Sequence, residues 1–471
     1  MDSQKVLKTA FVTVVLVCVL CSAARGQYCS ASGGGEQYVS GVVVGTLANT
    51  GTGSDGYVDY TNMSITMEWG ESQVATIING LSVAGSQCGI WVDWNADGDF
   101  DDGGETIAMS GGPALFTGTV TVPGATTVGD KRMRIRIMGD GSLTACGDTT
   151  YGEVEDYTIG VVIPWTGSGD ANDPFQIWTA ADMQAIGAGS GYWGSHFKLM
   201  ADVDLSAYTG TSFNIIGNDV NAFAGVFDGN GHTISNFTYS GAGTDLIGLF
   251  RSLQGPGAEI KDLVLLNPVV TGHYHVGSLV GQTGGEASIS NCYVEGGSVS
   301  GNMFVGRLVG RNLGAMSNCS SAGNVSASGD DSGRVGGLVG QNYGTISDCH
   351  SEGDVSGQGY VGGLVGSDHG GIVTNCYTTG SVSAGGWDHD VGGLVGSGSG
   401  STITNCWSSA NVTSTGSYSI CIGGLVGSGG ATNCYATGNV SGNPSWGSAV
   451  GGLVGSGGAT NCYATGSVSA S

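Results

Sequence analysis

A six-residue phrase, V-G-x-L-V-G, recurs through the C-terminal half of the chain and restricts what that half can fold into. It starts at Val276, Val305, Val335, Val361, Val391 and Val450, with a variant at Ile422 and a worn copy at Ile247. The full copies lie 26 to 31 residues apart. Each is followed by an Asn/Asp-Cys pair ending in Cys292, Cys319, Cys349, Cys376, Cys406, Cys434 or Cys462. A short G-x-V-S-type strand comes next, as at Gly380 to Ser383 and Gly438 to Ser441. Two markers locked in phase over seven copies define a repeat array. One copy alone cannot bury its Val and Leu side chains, so copies must stack. The pieces are short and β-prone, and no helix-period stripe runs through them. Gly (91 residues in all) is too frequent for helix interiors and lacks the G-X-Y period of collagen. The pattern predicts a parallel β-helix over residues 251–471, with rungs about 4.8 Å apart.

Residues 163–250 read as a linker and N-terminal cap. Pro164 to Pro174 is rich in Gly, Asp and Pro. Thr179 followed by Asp182 resembles a capping box opening a short helix through about Ala188. Phe223 to Ile234 reads as a strand, a tight Asp-Gly-Asn-Gly turn and a second strand, a hairpin pattern. Residues 27–162 hold period-two segments at Val74 to Ile78, Gly118 to Val122 and Arg132 to Ile137, separated by Gly and Asp clusters. They predict a β-sandwich. The fold class expected is therefore all-β: an N-terminal β-sandwich, a short capping helix and a parallel β-helix (β-solenoid).

The first 26 residues read as a signal peptide. Lys5 and Lys8 precede the apolar run Ala10 to Leu20, and Ala24-Arg25-Gly26 offers cleavage before Gln27. Loss of Lys5, Lys8, Arg25 and Asp2 takes the formal charge from −25 to −27. That field disfavours nucleic acid and anionic membranes and suits cations. No later segment is apolar for 18 residues, so no transmembrane segment is expected after signal removal. The chain stops at Ser471 inside a repeat, which suggests a fragment of a longer protein.

The sharpest chemical motif is Asp93-Trp94-Asn95-Ala96-Asp97-Gly98-Asp99-Phe100-Asp101. Oxygen side chains at its first, third and fifth positions and Gly at the sixth match the opening of an EF-hand-type calcium loop. Gly104 stands where that loop wants Glu, and Glu105 follows it. The expected calcium ligands are Asp93, Asn95, Asp97, Asp99, Asp101 and Glu105; an acidic hairpin turn is the alternative. Glu153, Glu155 and Asp156 are candidates to complete the shell, the alternative being a solvated edge. Cys29, Cys88 and Cys146 allow one disulfide of open pairing. The repeat cysteines are expected as buried thiols. His273 and His275, two apart, read mainly as a solvated strand, and His232 as a turn brace.

V-G-G-L-V-G followed by N-C-Y-x-x-G resembles the GLUG repeat of bacterial secreted and surface proteins. That repeat is also found outside the catalytic part of streptococcal IgA-specific metalloendopeptidases. No H-E-x-x-H accompanies it here. Tyr28-Cys29, the Trp91 to Phe100 stretch and Gly152-Glu153-Val154-Glu155-Asp156-Tyr157 resemble the GEVED domain of secreted bacterial proteins. The resemblance implies secretion, surface location and modular binding, and brings no catalytic mechanism. The expected function is a secreted or surface adhesion protein, non-enzymatic on balance, with a glycan or cell-surface component as partner. The rival is a carbohydrate-active enzyme using Asp330, Asp331, Arg334, Asp348, Glu352 and Asp354, with Arg307 and Arg311 nearby; a non-catalytic fragment of a larger secreted enzyme is a further alternative.

Overall fold

The computed structural model describes residues 28–34, 36–124, 126–218, 220–327, 333–385, 390–416, 421–442 and 449–470. The signal segment, Asp330 and Asp331 lie outside them. The chain divides into two compact units between Val162 and Ile163.

The first unit is a β-sandwich of two five-stranded sheets. One sheet runs Tyr57–Glu68, Gly152–Val162, Gly129–Met138, Gln87–Val92, Thr106–Ile107. The other runs Leu47–Thr50, Val39–Val44, Ser72–Asn79, Leu115–Thr121, Met109–Gly111. Period-two alternation sends Met133, Ile135 and Ile137 to one face of their strand, where all three are fully buried. Val42, Val44, Ala75 and Ile77 of the second sheet are equally buried. The opposite face of the first sheet is not solvated as in a two-layer sandwich. Arg134 and Arg136 are 2% and 1% exposed there. They lie under a third layer made by the N-terminal segment and the 141–149 turn. Arg134 donates to the carbonyls of Cys29 and Ala145. Arg136 donates to those of Thr144, Cys146 and Gly147. Strand Ala31–Gly33 pairs with Gly147–Thr149, and a Cys29–Cys146 disulfide fixes the layer. Trp91, Phe100 and Ala145 fill the space beneath.

The second unit is a parallel β-solenoid. Its strands form three stacks, of 24, 8 and 7 strands. Register is kept residue for residue: Val305 pairs with Val335, then Val361, Val391, Ile422 and Val450. The sextet Val and Leu side chains face inward; Leu308, Leu338, Leu364, Leu394 and Leu425 are all fully buried. The Gly at the second position of each sextet is needed for space, since a Cβ at Gly336 would lie 2.0 Å from the Val339 carbonyl oxygen. The parallel pairing begins at Phe175–Ile177. The expected helix spans Ala180–Ala188, with Thr179 and Asp182 forming a full capping box.

The hairpin expected at Phe223 to Ile234 is corrected. Val226–Asp228 and Thr233–Ser235 do not fold back on each other. Each pairs in parallel with the next rung, Phe227 opposite Ile260 and Ile234 opposite Leu265. The Gly-rich turn is a corner of the coil, and Asn230 takes a left-handed conformation there.

Candidate functional site

The acidic loop leaves the buried strand Gln87–Val92 and is wound by its own side chains. Asp93 is fully buried. It accepts from the Tyr28 hydroxyl (2.6 Å), the Ala96 amide (2.7 Å) and the Gly98 amide (3.1 Å). Ala96 and Gly98 both have positive φ, which explains why a small residue and a glycine stand there. Asn95, Asp97 and Asp99 each accept from the amide two residues on, the Asx-turn device. Glu105 is 2% exposed and accepts from the amides of Trp94 and Asp102. Burial, together with the charge of Asp93, pushes its carboxyl up to about 6.

Three carboxylates converge. Ligand-capable oxygens of Asp97, Asp99 and Asp102 lie within 4.8 Å of one another. Asn95 bridges two of them, donating to Asp97 (2.9 Å) and Asp102 (2.6 Å). Asp101 lies beside this trio; its hydrogen bond to Asp99 and the charge of that neighbour raise its carboxyl. Asp93 and Glu105 instead anchor the two ends of the loop. Asp102 was not singled out from the sequence. An EF-hand spacing counts odd positions from Asp93, and Asp102 falls at the tenth. Only the turn at Asp102 to Glu105, closed by the Glu105 amide donating to the Asp102 carbonyl, brings it back.

Glu153, Glu155 and Asp156 do not complete this cluster, and their strand is no solvated edge. It is the second strand of five, and all three residues are fully buried. Alternation splits them. Glu153 and Glu155 share the face of Tyr157, between the sheets. Glu153 accepts from the amides of Val39 (2.7 Å) and Asp55 (2.9 Å). Glu155 accepts from the Tyr157 hydroxyl at 2.7 Å. Burial, chiefly, pushes Glu155 up to about 7. Asp156 faces the other way. It receives both Nε and Nη2 of Arg134 (2.8 and 2.9 Å), Nη1 of Arg132 (3.0 Å) and the Tyr57 hydroxyl (3.1 Å). Cys88 is the buried leftover thiol of this unit.

On the solenoid, the residues before the cysteines form a second kind of array. Asn318, Asp348, Asn375, Asn405, Asn433 and Asn461 all have φ between 50° and 55°. Asn side chains bridge the rungs: Asn318 to Asn291, Asn375 to Asp348, Asn405 to Asn375, Asn433 to Asn405 and Asn461 to Asn433. Two residues further on, His350, Tyr377, Trp407, Tyr435 and Tyr463 stack with centroids 4.6, 4.5, 5.8 and 5.1 Å apart and planes within 4° of parallel. The cysteines between these columns are buried thiols, except half-buried Cys462.

The remaining candidates stay apart. His273 bonds Asp245 at 2.9 Å, whereas His275 stacks on Phe304. His232 braces its corner through Asp202. Arg307 is fully buried and donates to the Asn324 and Gly296 carbonyls. Arg311 lies over Tyr343, and Arg334 packs on Phe304 and Tyr360. Arg334 belongs to the seven-strand stack, while Glu352 and Asp354 sit on the 24-strand stack and Asp348 joins the Asn column.

Fold and residues thus define a two-unit, all-β repeat protein, a sandwich followed in sequence by a stacked solenoid. Comparison gives the parts their names. The chain carries a GEVED domain, matched over residues 87–160, and the GLUG motif, matched over 272–300 and 331–356. It is similar to "Halomucin" of Haloquadratum walsbyi, 35% identical over 189 residues, which is 37% of this chain and 2% of that protein. It is also similar to a "Putative Gly-rich membrane protein" of Evansella cellulosilytica, 35% identical over 110 residues, 22% of this chain and 12% of that one. The chain therefore spans a small part of the relatives it matches. Among the described residues, no helix is long and apolar enough to cross a membrane.

Proposed function

We propose that the chain is a secreted or cell-surface, non-enzymatic binding protein. Its N-terminal unit is a calcium-supported β-sandwich, and its solenoid offers a repetitive adhesive face to a glycan or other cell-surface component. One observation carries the reading: the in-register columns of Asn amides and aromatic rings along the solenoid. Amides repeated at rung spacing match a polymer that itself repeats hydroxyl groups, and ring edges flank them with apolar surface. The relatives' names, "Halomucin" and "Putative Gly-rich membrane protein", support a place at or beyond the cell surface.

The calcium element rests on Asp97, Asp99 and Asp102, whose oxygens are close enough to share one hard cation, with the Asn95 side-chain oxygen and loop carbonyls within the same turn. A thermal melt of the full chain with and without millimolar calcium tests it. Bound calcium at about a hundred times its dissociation constant adds about 2.7 kcal/mol. The Asp97→Asn/Asp102→Asn variant is expected to melt at one temperature in both buffers. An unchanged wild-type melt removes calcium from the reading. A glycan array with the full chain tests the adhesive face; an array without signal at millimolar calcium removes the glycan.

A further inference from the structure

The N-terminal unit has a cleft of about 710 Å3, bordered on one side by Ala96 and Gly98 of the acidic loop and lying apart from the solenoid columns. Its walls include Tyr28, Tyr57, Thr61, Arg132 and Thr158. We propose that this cleft binds a uronic-acid residue of an acidic glycan, its carboxylate seated on Arg132. The assignment rests on the glycan-binding reading above and moves recognition of the charged sugar to the N-terminal unit.

The guanidinium supplies the first argument. Arg132 is held on two sides: Nη1 bonds Asp156 at 3.0 Å, and its Cζ lies 4.5 Å from the Tyr28 ring centroid. Its side chain is 25% exposed. Nε and Nη2 make no hydrogen bond among the described residues. These two N–H groups form the side-on edge that takes a carboxylate in bidentate fashion. Arg134 uses that same edge on Asp156, so the geometry is realised one residue pair away. Arg132, already fixed by a ring and an ion pair, loses little side-chain freedom on binding. In a chain with 38 acidic and 13 basic residues, Lys131, Arg132 and Arg134 line one cleft beside a single lining carboxylate, Asp130, with Arg134 paired to Asp156.

The hydroxyls supply the second. Tyr28 donates to Asp93, Tyr57 to Asp156, Thr158 to the Thr61 carbonyl and Thr61 to Asp59. Carboxylates and carbonyls only accept, so each of these four protons is already committed to an acceptor of the protein. The cleft therefore presents acceptor lone pairs. Its complement is a ligand with one anionic acceptor and several O–H donors on a small ring. A uronic acid has that inventory, with its carboxylate and several hydroxyls on one ring. The volume lies within the usual range for small-ligand sites.

The test uses the full chain and a panel of oligouronates (galacturonate, alginate and hyaluronan oligosaccharides), each beside its uncharged methyl ester, by titration calorimetry. At least one acid form is expected to bind at least tenfold more tightly than its ester, about the loss of one charge-assisted hydrogen bond. Arg132→Gln is expected to bring the acid form down to the level of the ester. Tyr57→Phe and Thr158→Val each remove one acceptor and are expected to weaken binding severalfold while the folded chain is retained, with melting followed in parallel because each also loses one internal hydrogen bond. They keep the test decisive where Arg132→Gln fails to fold. Equal binding of acid and ester overturns the assignment, as does full-strength uronate binding by Arg132→Gln or by both hydroxyl variants. A glycan-array signal confined to neutral sugars overturns it and leaves the broader glycan reading standing. Silence towards every glycan overturns both.

Discussion

Glu155 is the residue whose chemistry is most at odds with its position. It is sealed between two sheets, and a second glutamate raises the cost of its charge. A folded-state value near 7 against an ordinary 4.5 means that the folded unit holds a proton the unfolded chain has released. Its contribution to stability is complete below pH 4.5 and is lost as pH rises through 7, by up to about 3 kcal/mol. Glu155→Gln keeps the shape without the charge. Denaturant titrations at pH 5 and pH 8 are expected to show the wild type weakening over that interval and the variant weakening less. Identical pH slopes contradict a buried neutral acid. A different residue-scale economy operates on the solenoid. Asn405 combines left-handed backbone with an amide bridge on each side. Asn405→Gly keeps the first and removes the second, while Asn405→Ala loses both. Alanine is expected to cost about 1–2 kcal/mol more than glycine, read from melting of the two variants; a glycine variant as unstable as the alanine one assigns the position to the bridge alone.

At the scale of elements, the third layer of the sandwich depends on a covalent tie and a row of arginines. The Cys29–Cys146 bridge closes a separation of 117 residues. In the chain-entropy account a loop of that size is worth about 4–5 kcal/mol. The Cys29→Ala/Cys146→Ala variant is expected to lower the melting of the sandwich and leave that of the solenoid, with tryptophan fluorescence and calorimetry as readouts; equal shifts in both would show that the units do not melt separately. This layer also marks where reading the sequence stops working. The repeat phase was legible because stacking needs identical side chains at identical places, and the helix was legible because Thr179 and Asp182 cap it locally. The strand from Arg132 to Ile137 was legible as a strand. Its Arg face was not legible as interior, since alternation says which residues share a face and nothing about what later covers it. The burial of Glu153 and Glu155, fully enclosed where a solvated edge is the sequence's alternative, escapes it for the same reason. At the acidic loop, the EF-hand-type spacing made the motif visible, while the convergence of Asp102 with Asp97 and Asp99 depends on a turn closed by Glu105. The hairpin at Phe223 to Ile234 failed because an Asp-Gly-Asn-Gly corner suits a coil as well as a reversal; only the rung beyond decides.

For the whole molecule, charge and repetition set the behaviour. A formal charge of −25 opposes compaction by self-repulsion, which salt screens as the Debye length falls from about 30 Å at 0.01 M to about 8 Å at 0.15 M. Melting in calcium-free buffer is expected to rise by a few degrees over that range of sodium chloride, measured by calorimetry; a fall would mean that attractive ion pairs dominate. Repetition has a further outcome. Residues 423–438 and 451–466 carry the same sixteen letters, G-G-L-V-G-S-G-G-A-T-N-C-Y-A-T-G, and pair with each other in register, Tyr435 on Tyr463 and Val426 on Val454. A rung that stacks on its own duplicate meets the same neighbour whether a copy is inserted or removed. Unequal crossing-over within the coding sequence therefore lengthens or shortens this coil by whole turns without creating a new interface, so its reach is a quantity that descent can change while the fold stays the same.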